Sequence, residues 1–480
     1  MDKAHDWLIP NSIDGEPFCH LLCVGKTRYG KNGFLTRVAT SLFKNRGVKI
    51  YDIHSGGKME GPHAMFPSDL EYWKEQRLDI DGAEVKPEGM PVRVLMPYSD
   101  YLPKNLPHQF QPFTIPTNEM TIKCWQSLLG MEVRTEANTW NVVKFKIDKK
   151  TSAPEMVYEL SQAHTEEVVL KTGAILTAPT VHGGKSLTIG ISDFLDQKVF
   201  SSANFPLALT TDEIKKDMRG DWITVLETSQ YQDHANFFVY YLIEKIWELK
   251  RTGVVRRPVV ILMRESQDFI PKQEMNLKEA ATKKLIGEIL EKGAGKRLYF
   301  ALDSQSPSFI ELFAEQFGIV ACFRLDSYYD IDNFLGPKVA AYSSKELKSK
   351  VYTLPKYHAV IFLPWGIRSG YVVPPTCALA KSGEDFWVKY KSFSAREPNN
   401  YWYRNWEDQY KALKNEYEEG VKRTKEIVVL KKYRKEKEKE KKEAERLKVR
   451  TRTAPHEKKI ELSQEELDNL EDLPFLPPDD

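Results

Sequence analysis

Short apolar runs alternate with amphipathic stretches at the start of the chain. The run His20–Val24 precedes a glycine-bearing loop, a stretch with helical periodicity over Gly33–Asn45, and a second apolar run at Val48–Ile53. A strand, a helix and a strand in this order form a βαβ unit, whose two strands lie parallel in one sheet. The pattern therefore predicts an α/β fold with a mainly parallel central sheet flanked by helices.

The same alternation returns after residue 220. Apolar runs predict strands at Trp222–Glu227, Val259–Met263, Arg297–Leu302 and Gly318–Leu325, and a last pair of strands within Val351–Leu363 and Gly370–Val373. Periodic stretches predict helices at Asp233–Leu249, Lys278–Glu291 and Ile310–Phe317. We assign residues 1–60 and 205–400 to one core domain.

Residues 61–204 are less regular. Prolines are dense between Pro87 and Pro116, which favours loops or edge strands, and helices are predicted at Met120–Leu129 and Ala153–His164. We predict an inserted, mostly helical subdomain over 61–204.

The composition changes near residue 405. Residues 422–450 hold fourteen basic and six acidic side chains, and residues 457–480 hold nine acidic and two basic ones. We predict a charged helix over 401–452 and a disordered acidic tail over 453–480. The helix could contact a nucleic-acid backbone, or it could be a solvated helix with paired charges. Leu473, Phe475 and Leu476 could dock on a protein partner, or the tail could have no such role.

Net charge, cysteine usage and hydropathy exclude few classes of protein. Net charge is +2, so the overall balance does not indicate nucleic-acid binding. Four of the five cysteines lie in or beside apolar runs, which favours buried thiols in a reducing compartment. No stretch reaches the roughly 18 apolar residues that a membrane span requires, so we expect a soluble, cytoplasmic protein.

A glycine-rich segment joins the first predicted strand to the first predicted helix. It reads Gly25-Lys26-Thr27-Arg28-Tyr29-Gly30-Lys31-Asn32 and fits the phosphate-loop pattern GxxxxGK[ST] except at its last position. In such a loop backbone N–H groups surround phosphate oxygens, the following helix presents its positive end, and the lysine reaches the β- and γ-phosphates. We expect ATP contacts from Gly25, Lys26, Thr27, Gly30, Lys31, Asn32 and Gly33. The alternative is a β–α turn without a ligand.

A second acidic motif follows the predicted strand Val259–Met263. In P-loop ATPases such a strand ends in an Asp that supports Mg²⁺ through water and a Glu that polarises the attacking water. Glu265 occupies the place of that Glu, and Arg264 stands where the Asp would be. The alternative is an ordinary buried strand with a charged end.

The expected metal ligands are consequently unusual. Asn32 replaces the hydroxyl residue that ligates Mg²⁺, and its amide oxygen is a neutral ligand. Asp52, on the neighbouring predicted strand, is a candidate for the carboxylate that Arg264 does not provide. A third segment, Arg297–Gln305, predicts a strand between the two motif strands, so that Gln305 could sense the γ-phosphate or could be a plain loop residue.

These segments together resemble the HerA/FtsK superfamily of P-loop ATPases. The likeness covers residues 18–60 and 220–375, including Tyr51–Gly56, Arg264–Pro271, Gly295–Ser308 and Cys322–Leu325. The resemblance implies a RecA-like fold, a hexameric ring, ATP with Mg²⁺, and movement of double-stranded DNA. It also implies that Arg297 or Arg324 acts on a neighbour's nucleotide. Arg264 and Asn32 keep a second hypothesis open, a catalytically degenerate subunit of a DNA-handling assembly. A P-loop kinase or GTPase is the weakest alternative.

Overall fold

The structure is a computed structural model that describes residues 18–54, 59, 61–75, 86–129, 150–162, 167–169, 175–177, 198–228, 231, 235–270, 277–305, 316–327, 331, 345–364, 366–380, 385–396 and 403–450. The strands are β1 (Leu21–Val24), β2 (Lys49–His54), β3 (Val92–Pro97), β4 (Asn105–Pro107), β5 (Phe110–Phe113), β6 (Ile115–Pro116), β7 (Glu167–Val169), β8 (Ile175–Thr177), β9 (Phe200–Ser201), β10 (Ile223–Glu227), β11 (Val259–Met263), β12 (Leu298–Ser304), β13 (Ile319–Cys322), β14 (His358–Leu363), β15 (Gly366–Tyr371) and β16 (Tyr403–Asn405). The α-helices are α1 (Lys31–Arg46), α2 (Glu71–Glu75), α3 (Ile122–Leu129), α4 (Ala153–Gln162), α5 (Thr211–Arg219), α6 (Ala235–Arg251), α7 (Leu277–Lys292), α8 (Lys345–Thr353), α9 (Phe386–Arg396) and α10 (Glu407–Arg450).

Ten strands form one central sheet in the order β15-β14-β13-β1-β12-β11-β2-β10-β3-β5. The eight strands from β13 to β5 pair in parallel, and β14 and β15 add an antiparallel hairpin at one edge. All residues of β1, β2, β10, β11, β12 and β13 are buried. Continuous burial is typical of a parallel sheet covered by helices on both faces, and it explains why these strands appear in the sequence as unbroken apolar runs.

The helices cover this sheet. α1 packs on β1, β2, β11 and β12, while α7 packs on β12 and also contacts α3 and α6. α6 follows β10 and buries thirteen of its seventeen residues. The α/β fold with a mainly parallel sheet is therefore confirmed, and the strand predicted between the two motif strands is β12, which lies between β1 and β11. The helix predicted at Ile310–Phe317 lies largely outside the described residues.

The predicted insertion at 61–204 is not separate from the core. β3 and β5 both belong to the central sheet, where β3 pairs with β10 and β5 pairs with β3. β3 and β5 therefore extend the sheet of the core strands, and β3 does so by pairing with a strand more than 100 positions away. The helices predicted at 120–129 and 153–164 are present as α3 and α4.

The predicted charged helix is α10. Its first part is docked on the body of the protein, where Leu413 and Tyr417 are buried and the Tyr417 hydroxyl donates to the Phe200 carbonyl at 2.7 Å. The Arg423 guanidinium binds Glu155 of α4, with Nε 2.9 Å from Oε1. From residue 434 to 443 every residue is exposed, with six basic and four acidic side chains. The acidic tail predicted at 453–480 lies outside the described residues.

No helix in the described part of the chain is both long and apolar enough to cross a bilayer. Cys23, Cys124, Cys322 and Cys377 are buried, Cys19 is partly buried, and none of the five, all of them described residues, forms a disulfide.

Candidate nucleotide site

The phosphate loop connects the end of β1 to the start of α1, as its sequence predicts. Gly25 has φ of 145°, and a Cβ atom there would lie 2.6 Å from Cβ of Phe323. Gly30, with φ of 113°, caps the amino end of α1. Both positions therefore require glycine: the backbone lies where side chains are disfavoured, and Phe323 closes the space beside the loop.

Lys31 is the first residue of α1 and is buried, with 5% of its surface exposed. Its ammonium donates to the Gly25 carbonyl at 2.7 Å and to the Lys26 carbonyl at 3.4 Å. The side chain thus folds back across the loop, at the positive end of α1. No acidic residue lies in the first turn of this helix, which leaves the end suited to an anion.

The other loop residues predicted to contact ATP lie on the same turn. Lys26 and Thr27 are exposed on the loop, and Asn32 and Gly33 are half-buried in the first turn of α1. The structure therefore brings all seven predicted nucleotide contacts to one turn at the carboxyl edge of β1.

Glu265 and Gln305 meet beside this loop. β11 ends at Met263 and β12 ends at Ser304, so the residues that follow both strands emerge at the edge where β1 leads into the phosphate loop. The Gln305 amide donates to Oε2 of Glu265 at 3.0 Å, and the Gln267 amide donates to the same oxygen at 2.5 Å. Glu265 has φ of 51°, a left-handed conformation that is uncommon outside glycine. The backbone turns here and holds the carboxylate between two amides.

Arg264 is engaged by a buried carboxylate. Nε and Nη2 of Arg264 donate to the two oxygens of Asp52 at 3.0 and 2.9 Å, and Nη2 also donates to the Thr36 hydroxyl at 2.8 Å. Nε2 of His54 lies 3.0 Å from Oδ1 of Asp52. Burial alone would raise the pKa of Asp52, but Arg264 and His54 hold it well below its usual range. The arginine at the position of the metal-supporting aspartate is thus paired with Asp52 and does not present an unpaired positive charge.

Both predicted metal ligands, Asn32 and Asp52, contact Arg264. Asp52 uses both carboxylate oxygens to bind Arg264, and the Asn32 backbone carbonyl lies 3.5 Å from Nη1 of the same arginine. Thr36, one turn along α1 from Asn32, was not identified from the sequence, and no motif marks it.

Asp303 is a second site residue that sequence reasoning missed. It is a fully buried residue of β12, and its Oδ1 accepts a hydrogen bond from the Glu265 backbone N–H. Burial raises the pKa of Asp303 to about 6, with Lys31 acting in the opposite direction and Glu265 in the same one. Asp303 therefore lies within electrostatic reach of both the phosphate-loop lysine and the candidate catalytic glutamate. An aspartate directly after the apolar run Leu298–Leu302 was the available signal.

Arg324 lies beside the phosphate loop of its own chain. Its carbonyl accepts from the Lys26 backbone N–H at 2.8 Å, and its guanidinium lies over the Tyr29 ring, 5.6 Å from the centroid. Asp326 joins this exposed group, because it pairs with Arg324 at 3.0 Å and also with the Lys26 ammonium.

Arg297 lies at the opposite edge of the sheet. It immediately precedes β12, is exposed, and its carbonyl accepts from the Val259 backbone N–H. The seven residues of β12 separate it from Gln305, a distance of roughly 26 Å for eight steps of about 3.3 Å each. Arg297 and the phosphate loop of the same chain are therefore not brought together.

The sheet order, the loop after β1 and the acidic turn after β11 define the fold class as a RecA-like P-loop NTPase with an added strand between the two motif strands. No protein-family model and no curated protein matches the chain.

Solved structures do match. The genome-packaging NTPase B204 of Sulfolobus turreted icosahedral virus 2, in complex with ATP-γS, is 12% identical with a TM-score of 0.33, over 74% of this chain and 98% of that one. The bacterial conjugative coupling protein TrwB is 12% identical with a TM-score of 0.47, over 77% and 90% of the two chains. Its complex with the ATP analogue ADPNP is 13% identical with a TM-score of 0.44, over the same shares.

Proposed function

We propose that this chain is a divergent HerA/FtsK-type ATPase that binds ATP with Mg²⁺ and uses its hydrolysis to move double-stranded DNA. The observation that carries the proposal is the hydrogen bond between Glu265 and Gln305 at the edge of the sheet where β1 leads into the phosphate loop. It supports Glu265 as the general base and Gln305 as the sensor beside the loop that would hold the phosphates.

The loop suits a polyphosphate because Gly25 and Gly30, both at positive φ, let the backbone turn tightly between β1 and α1. The amides of residues 25–32 and the amino end of α1 would hold the phosphate oxygens, and Lys31 would exchange its contact with the Gly25 carbonyl for the β- and γ-phosphates. Bound Mg²⁺ neutralises charge on the β- and γ-phosphates. Asn32 and Asp52 are the ligands that the sequence suggests for it.

Hydrolysis requires that a water molecule be oriented next to the γ-phosphate. Glu265 would accept a proton from that water, while the amides of Gln267 and Gln305 fix the carboxylate in place through Oε2. Since one oxygen is held by these amides, the other is left to face the water. Gln305 would then report the presence of the γ-phosphate through its bond to Glu265.

The DNA part of the proposal rests on the resemblance of four segments to the HerA/FtsK superfamily. The exposed end of α10 does not carry it, because residues 434–443 have a net charge of only +2 and suit a solvated helix. The decisive assay is steady-state ATP turnover with and without duplex DNA. We expect stimulation by duplex DNA and loss of turnover in Lys31→Ala. ATP turnover that is not changed by duplex DNA would be consistent with an ATPase, but it would contradict the proposal of a DNA motor.

A hexameric ring is the assembly that the resemblance suggests. Arg297 would then act in trans, since it lies across the sheet from its own phosphate loop. If so, mixing Arg297→Ala with Glu265→Gln subunits restores part of the turnover that each lacks alone. Arg324 lies beside its own phosphate loop. A mixture of Arg324→Ala with Glu265→Gln subunits therefore shows whether Arg324 or Arg297 acts on the neighbour's nucleotide. A chain that stays monomeric with ATP, as measured by light scattering, would rule out both trans roles.

A second candidate function is a non-hydrolysing subunit of a DNA-handling assembly. The observation that favours it is Arg264, which occupies the metal-supporting position and is held there by Asp52 and Thr36. This alternative predicts no turnover with or without DNA, and unchanged assembly when Glu265 is replaced by Gln.

A further inference from the structure

Asp303 lies one strand away from the place where P-loop ATPases carry their metal-supporting aspartate. Met263 of β11 is in register with Leu302 of β12, so the next residues, Arg264 and Asp303, are neighbours on adjacent strands. On its other side Asp303 is in register with Cys23 of β1, two residues before the phosphate loop begins. The central strand thus carries a carboxylate at the level where β11 carries an arginine.

The two oxygens of Asp303 have different surroundings. Oδ1 accepts from the Glu265 N–H, while Oδ2 is buried and has no hydrogen-bond partner within the described parts of the chain. A buried carboxylate oxygen without a donor is costly, and such groups in native proteins usually have a role or a bound ion. Lys31 and Glu265 both interact electrostatically with this carboxylate, so Asp303 lies close to the phosphate-loop lysine and to the candidate catalytic glutamate.

The carboxylate oxygens of Asp52 are already engaged and are much less available to a metal ion. Its Oδ1 is bound by Nε of Arg264 and lies 3.0 Å from His54, and its Oδ2 is bound by Nη2 of Arg264. Pairing with Arg264 satisfies the charge of Asp52 and leaves the charge of Asp303 without a comparable ion pair at hydrogen-bond distance among the described residues. The two carboxylates therefore divide the work: Asp52 neutralises Arg264, and Asp303 remains available to a cation.

We propose that Asp303 is the carboxylate that supports the nucleotide-bound Mg²⁺ in this chain, in place of the aspartate replaced by Arg264. The inference rests on the proposed function, because it concerns the metal that accompanies ATP. Asp303 would act through a metal-bound water, in the way that carboxylates of the outer shell hold and orient metal ligands. Arg264 and Asp52 form a neutral unit behind it.

The test separates metal binding from nucleotide binding. Binding of the ATP analogue AMPPNP is measured by calorimetry in EDTA and in Mn²⁺, and Mn²⁺ binding is followed by its paramagnetic resonance signal. Asp303→Asn keeps the size of the side chain and an acceptor for the Glu265 N–H. Asp221→Asn is the matched control, because it removes the same charge from a side chain that is 90% exposed.

We expect Asp303→Asn to bind AMPPNP in EDTA as the natural chain does, and to lose about 10–100-fold in Mn²⁺ affinity at the nucleotide site. Asp221→Asn should match the natural chain in both media. Equal Mn²⁺ affinity in the Asp303→Asn variant would overturn the inference and leave the proposed function intact. Equal losses with and without metal would assign Asp303 a purely structural role and also overturn it. No AMPPNP binding by the natural chain in either medium would end both proposals.

Discussion

Replacing Asp303 by Asn should change how the stability of the nucleotide-free protein depends on pH. Asp303 is fully buried, and its pKa is raised from its ordinary value of 3.8 to about 6. A carboxyl group whose pKa is higher in the folded state is more easily ionised in the unfolded chain. The contribution of Asp303 to the free energy of unfolding therefore becomes more unfavourable as the pH rises from below 4 to above 6.

The magnitude follows from these two values. One pH unit corresponds to 1.36 kcal/mol, so above pH 7 the ionised Asp303 costs about 3 kcal/mol relative to an unperturbed carboxyl group. At pH 5 the cost is about half of this, since the folded-state group is then mostly protonated. The asparagine side chain of the variant cannot ionise. The stability of the variant relative to the natural chain should therefore rise by about 1 to 2 kcal/mol between pH 5 and pH 8.

The pH dependence is more informative than the stability at one pH. An asparagine amide at this position brings its own N–H donors, and any buried donor without an acceptor costs about 1–3 kcal/mol. That cost does not vary with pH. The groups that face Asp303, namely Lys31, Arg264, Glu265 and the Cys23 thiol, are present in both proteins.

Chemical denaturation of both proteins from pH 5 to pH 8, without nucleotide, measures this difference. Asp221→Asn controls for the loss of an exposed carboxylate and should show a flat difference over the same range. A flat difference for Asp303→Asn, or one that falls as the pH rises, would refute the claim that a buried carboxylate is held ionised beside the phosphate loop against its desolvation cost.

Three further predictions concern the Arg264 ion pair, the phosphate loop and the exposed part of α10. Arg264→Ala leaves the buried Asp52 without its main partner, so the free energy of unfolding, measured by chemical denaturation, should fall by about 3–5 kcal/mol. Adding Asp52→Asn to the same chain should restore part of this loss. Losses of the two substitutions that simply add would argue against the ion pair. Gly25→Ala combines a φ of 145° with a Cβ contact of 2.6 Å, so we expect a lower melting temperature and loss of AMPPNP binding in calorimetry; unchanged binding would show that the loop can rearrange. Replacing Lys439 and Lys441 by Gln should leave the melting temperature unchanged, because residues 434–443 are exposed, and a clear decrease would show that this part of the helix packs on something.

Much of the fold is predictable from the sequence because its strands are continuously buried. β11 and β12 are unbroken apolar runs, and the glycine-bearing turn after β1 identifies the phosphate loop directly. β3 and β5 were harder to place. Their proline-rich surroundings favour loops locally. The pairing of β3 with β10, and of β5 with β3, is what includes both strands in the central sheet.

The site was predicted unevenly for a similar reason. Glu265 and Gln305 follow strands whose order is typical of this fold class, so their meeting could be predicted from the two motifs. The partner of Arg264 could not, because Asp52 is 212 positions away and the pairing depends on the register of β2 with β11. Asp303 has no motif of its own, and its significance comes only from its position between β1 and β11.

The rate at which bound ATP is hydrolysed in a single turnover tests the central claim most directly, namely that Glu265 faces the phosphates held by the loop at residues 25–32. Glu265→Gln should retain ATP affinity and hydrolyse bound ATP about 10²–10⁴-fold more slowly than the natural chain. An unchanged rate in the variant would show that the Glu265 carboxylate takes no part in the chemistry.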